Sequence, residues 1–96
     1  MLALTDEAVE TVKAIVEARE TPETGGLRLA AERSGDRTTL HLSVVVLPGE
    51  DDEIIEEGGA RVFLELEAAA LLDDKVLDVT VQRDRVEFTI ADQFEV

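Results

Sequence analysis

One histidine, two serines and a run of acidic residues are the side chains of this 96-residue chain that could take part in chemistry. His41 lies two residues from Ser43, and no carboxylate is spaced to complete a catalytic triad with them. A lone histidine is also a weak metal ligand, because transition-metal sites bring several ligands together. We therefore interpret His41 first as a half-exposed strand residue and second as a metal ligand, and we expect no enzyme.

The acidic run places six carboxylates in eight positions, from Glu50 to Glu57. It lacks the central glycine and the alternating ligands of an EF-hand loop, so at most it would bind Ca²⁺ or Mg²⁺ weakly. We favour a solvated loop, which like-charge repulsion keeps extended. The pairs Gly25-Gly26 and Gly58-Gly59 lack the lysine of a phosphate loop and are interpreted as flexible joints that lead into strands.

Composition excludes several functions. Twenty-three acidic residues against nine basic ones give a net charge of −14, which disfavours binding to nucleic-acid phosphates and to anionic membranes. The absence of cysteine excludes disulfides, thiolate metal sites and cysteine nucleophiles. No apolar run is long enough to span a bilayer and no leader pattern precedes the first helix, so we expect a cytoplasmic protein.

The elements that must position these residues begin with a helix. The hydroxyl of Thr5 can cap its first turn. Acidic residues follow directly, where the helix dipole favours negative charge. Val9, Val12 and Val16 recur at helical spacing and predict the buried face. The helix should end before Pro22.

The remainder of the chain predicts mainly strands, because apolar residues alternate with polar ones. Two strands should form a hairpin around Ser34-Gly35-Asp36 with one buried face, and a second hairpin should close around Arg83-Asp84. The other predicted elements are a strand around Ile54-Ile55, a strand over Ala60–Leu64, a short helix over Leu66–Leu72, and the second hairpin's strands over Val76–Gln82 and Arg85–Ile90. This order predicts one α+β domain over residues 1–96 with mostly antiparallel strands.

The order of these elements and the residues at their corners resemble the HesB-like domain, the A-type iron–sulfur carrier family. The resemblance runs from about Leu2 to Asp92 and implies a compact, β-rich sandwich. The segments that carry it are Leu4-Thr5-Asp6-Glu7-Ala8, Gly26-Leu27-Arg28-Leu29, Ser34-Gly35, Gly59-Ala60-Arg61-Val62-Phe63-Leu64, Leu77-Asp78-Val79 and Val86-Glu87-Phe88-Thr89-Ile90.

The same resemblance marks what this sequence lacks. The family's carriers hold iron or a cluster through three cysteines, and the first position falls on Asp36 here. The Cys-x-Cys pair would lie beyond Asp92, where the sequence reads Gln93-Phe94-Glu95-Val96. The resemblance therefore implies the fold without a thiolate-bound cluster, and we expect no cofactor. Asp36 remains either a hairpin-turn residue, which we favour, or a carboxylate ligand for Fe²⁺, Mn²⁺ or Ca²⁺.

The resemblance also implies partners. Family members form dimers and tetramers, so we expect a homodimer, with Phe94 and Val96 as apolar residues that could dock on the same or a neighbouring chain. The net charge would make that association depend on salt. The expected function is a non-catalytic, protein-binding factor in iron–sulfur cluster biogenesis. The alternatives are a carboxylate-based iron or divalent-metal carrier and an interaction module unrelated to iron.

Overall fold

Residues 1–93, the part of the chain that the computed structural model describes, form two helices and seven strands. Phe94 and Val96 lie outside the described residues. In chain order the elements are β1 (Ala3–Leu4), α1 (Asp6–Ala18), β2 (Gly26–Ser34), β3 (Arg37–Val45), β4 (Glu53–Glu57), β5 (Ala60–Leu64), α2 (Leu66–Leu71), β6 (Lys75–Gln82) and β7 (Arg85–Asp92).

Helix α1 begins where the sequence predicts. The Oγ1 of Thr5 accepts a hydrogen bond from the backbone N–H of Ala8 at 3.1 Å, which satisfies one of the free donors at the helix start. The helix buries Ala8, Val9 and Val12 against the sheets, and Arg19 caps its end. Each fully buried aliphatic side chain on this face contributes about 1.5–3 kcal/mol to folding.

The larger sheet has four strands in the order β3-β2-β5-β4. Strands β2 and β3 form the predicted hairpin, and Ser34 pairs with Arg37 across a two-residue turn whose Gly35 has a φ of +64°. Strand β5 pairs with β2 in parallel and with β4 antiparallel. Both hairpins and β4–β5 are antiparallel and β2–β5 is parallel, which confirms the prediction of mostly antiparallel strands.

The smaller sheet has the order β1-β6-β7. Its centre is the predicted second hairpin, and β1 adds to β6 in parallel through Ala3 opposite Val76 and Leu4 opposite Leu77. Strand β1 is not predicted from the sequence, because its two residues are too few to show an alternating pattern.

Helix α1 packs on β2, β5 and β6, and the core lies between the helix and the two sheets. Its fully buried aliphatic residues include Val12, Leu29, Val62, Leu64 and Leu77. Every residue of the described chain that counts as buried is apolar or glycine. No helix in residues 1–93 is long and apolar enough to cross a membrane.

The predicted buried face of β3 is only partly buried. Leu42 is 40% exposed, while Leu40 and Val44 are partly covered. The difference arises because β3 is the edge strand of its sheet and α1 packs over the neighbouring strands instead.

The glycine pair before β2 is packed tightly, which corrects the expectation of a flexible joint. A Cβ on Gly26 would lie 2.5 Å from the carbonyl oxygen of Arg61, and one on Gly25 would lie 2.2 Å from the Cγ2 of Thr21. Both positions thus admit only glycine because neighbouring atoms approach closely.

Candidate functional site

Asp36 lies in the two-residue turn between β2 and β3, and its side chain is exposed to solvent. The turn is formed as Ser34-Gly35-Asp36 predicts, since Gly35 takes up the left-handed conformation that the reversal requires. The structure therefore accounts for Asp36 as a turn residue, and its role as a metal ligand stays a prediction.

His41 lies on β3 opposite Ala30 in the register of the hairpin. Its Nε2 is 2.7 Å from the Oε2 of Glu32, and both side chains are more than half exposed. An exposed pair of this kind stabilises the fold weakly. His41 follows Asp36 by five residues, which is about 16 Å along an extended strand, so the two side chains are too far apart to share one ion.

The described residues contain no group of three or more histidine and carboxylate side chains placed to hold a metal ion. The ligand prediction at Asp36 and His41 therefore rests on the sequence alone.

A partly buried ion pair that the sequence analysis missed lies on the outer face of the larger sheet. The Nε of Arg28 donates to the Oδ2 of Asp52 at 2.7 Å, and its second guanidinium nitrogen donates to the Oδ1 at 3.0 Å. The Asp52 side chain is only 3% exposed and also accepts a hydrogen bond from the backbone N–H of Gly49 at 2.8 Å. The hydrogen bonds from Arg28 lower the pKa of Asp52, and Asp52 raises the pKa of Arg28.

This pair corrects the interpretation of the acidic run. The backbone turns at Gly49, where the N–H of Asp52 donates to the Gly49 carbonyl at 3.2 Å, and Asp52 folds back onto β2 instead of remaining in solvent. Strand β4 then begins at Glu53. Charge repulsion does not keep the segment extended, because one of its carboxylates has a cationic partner in the sheet.

A second carboxylate, Glu65, is held close to the same arginine. As the cap of α2 it accepts hydrogen bonds from the backbone N–H groups of Glu67 at 3.0 Å and of Ala31 and Ala68 at 3.2 Å. These bonds, chiefly that from Glu67, lower the pKa of Glu65, and Arg28 contributes through its charge.

The aromatic ring of Phe63 lies within this charged surface and is fully buried. The guanidinium of Arg61 lies 5.5 Å from the centre of the ring, and Arg61 also pairs with Glu56. Through the hydrogen bonds of Asp52 and Glu65, this surface holds the acidic turn and α2 onto the sheet.

One sequence signal points to the pair in retrospect. Arg28 stands at an outward position of β2, and Asp52 follows Pro48-Gly49 at the spacing of a turn that its own carboxylate can close. The pattern gives no indication that the two residues meet, because they are 24 positions apart.

Comparison with solved structures identifies the fold. Escherichia coli SufA, involved in the biosynthesis of iron–sulfur clusters, superposes with a TM-score of 0.77 at 25% identity, covering 95% of this chain and 84% of SufA. IscA with a [2Fe–2S] cluster superposes at 0.76 and 20% identity, covering 96% of this chain and 85% of IscA. A protein from Aquifex aeolicus superposes at 0.74 and 23% identity, covering 95% and 90%.

No protein-family model and no curated protein matches the sequence. The structural neighbours nevertheless cover most of the chain, which confirms the α+β, HesB-like sandwich that the sequence predicts. The chain differs from a thiolate-bound carrier in one chemical respect: it has no cysteine.

Proposed function

We propose that this chain, which shares the fold of SufA and IscA but has no cysteine, is a non-catalytic, protein-binding factor in iron–sulfur cluster biogenesis. The observation that carries the proposal is the combination of these two facts over nearly the whole chain. The shared fold supports a link to this class of proteins, and the absence of cysteine supports a role that does not depend on a thiolate-bound cluster. The same proposal places the protein in the cytoplasm, without a resident cofactor.

Iron and sulfide analysis tests the chemical half of the proposal. The protein is incubated anaerobically with Fe²⁺ and sulfide, desalted, and assayed for iron and acid-labile sulfide per chain. We expect neither to be retained, because carboxylates are hard oxygen ligands and hold sulfide clusters poorly. Retention of both at near-stoichiometric levels would contradict the proposal, since a cluster would then be held by groups other than cysteine.

A binding assay tests the partner half. Cysteine desulfurase, cluster scaffold and carrier proteins from the same organism are purified, and their affinity for this chain is measured by calorimetry. Cluster formation on the scaffold is followed in parallel by visible absorbance with and without the chain. We expect saturable binding to one of these proteins and a change in the rate of cluster formation. If no protein binds and the rate does not change, the proposal is wrong and the interaction module unrelated to iron becomes the favoured function.

The competing proposal of a carboxylate-based carrier depends on Asp36. Retention of iron without sulfide would favour it, and Asp36→Ala should then abolish the retention. The matched control is Asp84→Ala, because Asp84 also lies in the two-residue turn of a hairpin. Equal iron retention by both variants and the unchanged protein would exclude Asp36 as the ligand.

The homodimer that the resemblance implies stays a prediction. Strands β3 and β7 are edge strands of their sheets, and edge strands are common sites of pairing between copies. Light scattering at low and high salt measures the mass directly, and we expect the dimer to be favoured at high salt, where the negative charges are screened.

A further inference from the structure

An apolar groove runs between helix α1 and the second hairpin. Ala14, Ile15 and Ala18 line it from the helix, and Val81 and Val86 line it from β6 and β7. Its volume is about 380 Å³, and five of its seven lining residues are apolar. Val81 is 61% exposed and Val86 is 46% exposed, so the groove is open to solvent.

The apolar face of β6 continues from the buried core into the groove. Alternate residues of β6 share one face, and Leu77 and Val79 on that face are buried under α1 while Val81 is exposed. Opposite them β7 places Val86 next to Val81 and Phe88 next to Val79. The apolar pattern of a buried strand pair thus extends to residues that are exposed to solvent, and exposed apolar patches of this kind are common at binding sites.

Acidic side chains border the groove along α1. Glu10 lines the groove itself, and Asp6, Glu7 and Glu10 line the adjoining hollow whose floor is Val79 and Val81. Cations on the same helix offset part of this charge: the Nζ of Lys13 is 3.9 Å from the Oε1 of Glu10, and Arg19 lines the cavity next to the groove at the opposite end of the helix. The acidic side chains still outnumber these cations along the border, in agreement with the net charge of −14.

A second copy of the chain fits this border poorly. It would bring the same acidic residues and a further net charge of −14 to the contact, and like charges at an interface oppose association. A partner with apolar residues flanked by lysine or arginine would gain from both features. Helical geometry suits the groove, since its lining on α1 runs from Glu10 to Ala18, which is about 12 Å or two helical turns.

We propose that the apolar groove binds an amphipathic helix of a partner protein whose apolar face is bordered by lysine or arginine. This inference rests on the proposed function, because it identifies the surface through which an assembly protein is bound. The partner's apolar side chains cover Val81 and Val86, and its cations face Glu7 and Glu10.

The test uses a fluorescent peptide of about 18 residues, or five helical turns, with leucine on one face and lysine on the other. Fluorescence anisotropy measures its affinity for the full chain. The double variant Val81→Thr/Val86→Thr should weaken binding at least about tenfold, because it removes two apolar contacts and keeps β-branched residues in the hairpin. Val46→Thr is the matched control, since Val46 is 59% exposed and lies outside the groove.

Charge is tested separately. Glu7→Gln/Glu10→Gln should weaken binding at low salt and have little effect at high salt, where the attraction is screened. Glu50→Gln, in the exposed acidic turn, should leave the affinity unchanged. A scrambled peptide of equal composition should bind far more weakly than the amphipathic one.

Three results would overturn the inference: equal affinity of the scrambled peptide, equal affinity of the groove variant and the Val46→Thr control, or a dimer that Val81→Thr/Val86→Thr converts to monomer. The last would make a second copy the occupant.

Failure of the proposed function is distinguishable from failure of the groove proposal. If the peptide binds in the groove but no assembly protein binds the chain, the function is wrong, whereas an assembly protein that binds the groove variant unchanged contradicts the groove alone.

Discussion

At the scale of single residues, the Arg28–Asp52 pair makes the clearest contribution to stability. Asp52→Asn leaves the arginine without a counter-ion at a partly buried site and removes the charge that accepts its hydrogen bonds. We expect the free energy of unfolding in urea to fall by about 2 kcal/mol. Asp51→Asn is the control, since Asp51 is exposed and adjacent, and it should cost less than about 0.5 kcal/mol. Equal losses for the two variants would contradict this.

The same pair gives a pH dependence of definite sign. Arg28 lowers the pKa of Asp52 in the folded protein, so the carboxylate stabilises the fold above its unfolded pKa of about 3.9 and this contribution is lost as the pH falls through the folded value. The difference in unfolding free energy between the unchanged protein and Asp52→Asn should be constant from pH 7 to about pH 5 and shrink below about pH 4.

The difference in unfolding free energy between the unchanged protein and Asp52→Asn isolates the contribution of the Asp52 carboxylate. Glu65 and Asp78 also have lowered pKa values, but they are present in both proteins and cancel in the difference. A difference that persists unchanged at pH 3 would show that the stabilisation does not depend on the charge of Asp52.

The position of a single residue could be predicted where its neighbours in the sequence determine it. Asp36 occupies a turn because the neighbouring glycine permits the reversal, and this is visible in three consecutive letters. The low exposure of the Asp52 side chain depends on an arginine 24 positions away, and the pairing of His41 with Glu32 depends on the register of two strands. Neither can be derived from local pattern.

At the scale of elements, Thr5 joins α1 to the smaller sheet. Besides capping the helix, its Oγ1 donates to the Oδ1 of Asp78 at 2.7 Å, and its N–H donates to the carbonyl of Leu77 at 3.0 Å. Thr5→Ala should lower the free energy of unfolding by about 1–2 kcal/mol through loss of the cap. Thr5→Ser keeps the hydroxyl and should restore most of the loss in the same urea titration. A serine variant as unstable as the alanine variant would exclude the hydroxyl as the cause.

Elements with a strong local signal were predicted, and those that depend on distant pairing were not. The cap and valine spacing define α1, and two-residue turns define both hairpins. The parallel pairs β2–β5 and β1–β6 join segments far apart in the chain, so alternation shows that they are strands but not which strands they contact. Alternation likewise shows that one face of β3 is apolar, but not that the helix leaves it partly uncovered.

At the scale of the whole molecule, net charge dominates. Repulsion among 23 acidic residues opposes the compact state, and added salt screens it. We expect the melting temperature to rise by several degrees between low salt and about 0.5 M NaCl, and to rise equally in KCl. Sucrose at the same osmolality is the control, because it stabilises proteins without screening charge. A melting temperature independent of NaCl would contradict this.

The whole-molecule inference from sequence was correct for the fold because corner residues and element order survive at 20–25% identity to the solved neighbours. The apolar groove could not be found in the same way. It is lined by α1 on one side and by β6 and β7 on the other, so its existence depends on how three elements pack.

The two ends of the described chain lie next to each other at the start of β6. The side-chain amide of Gln93 donates to the carbonyl of Met1 at 2.8 Å and to that of Lys75 at 3.0 Å, while the amino group of Met1 contacts Asp73. In topological terms residues 1–93 are nearly a ring, closed by the hydrogen bonds of Gln93. We therefore expect a circular permutant of these residues, opened at Gly35-Asp36 and joined by a short linker, to keep the same strand neighbours.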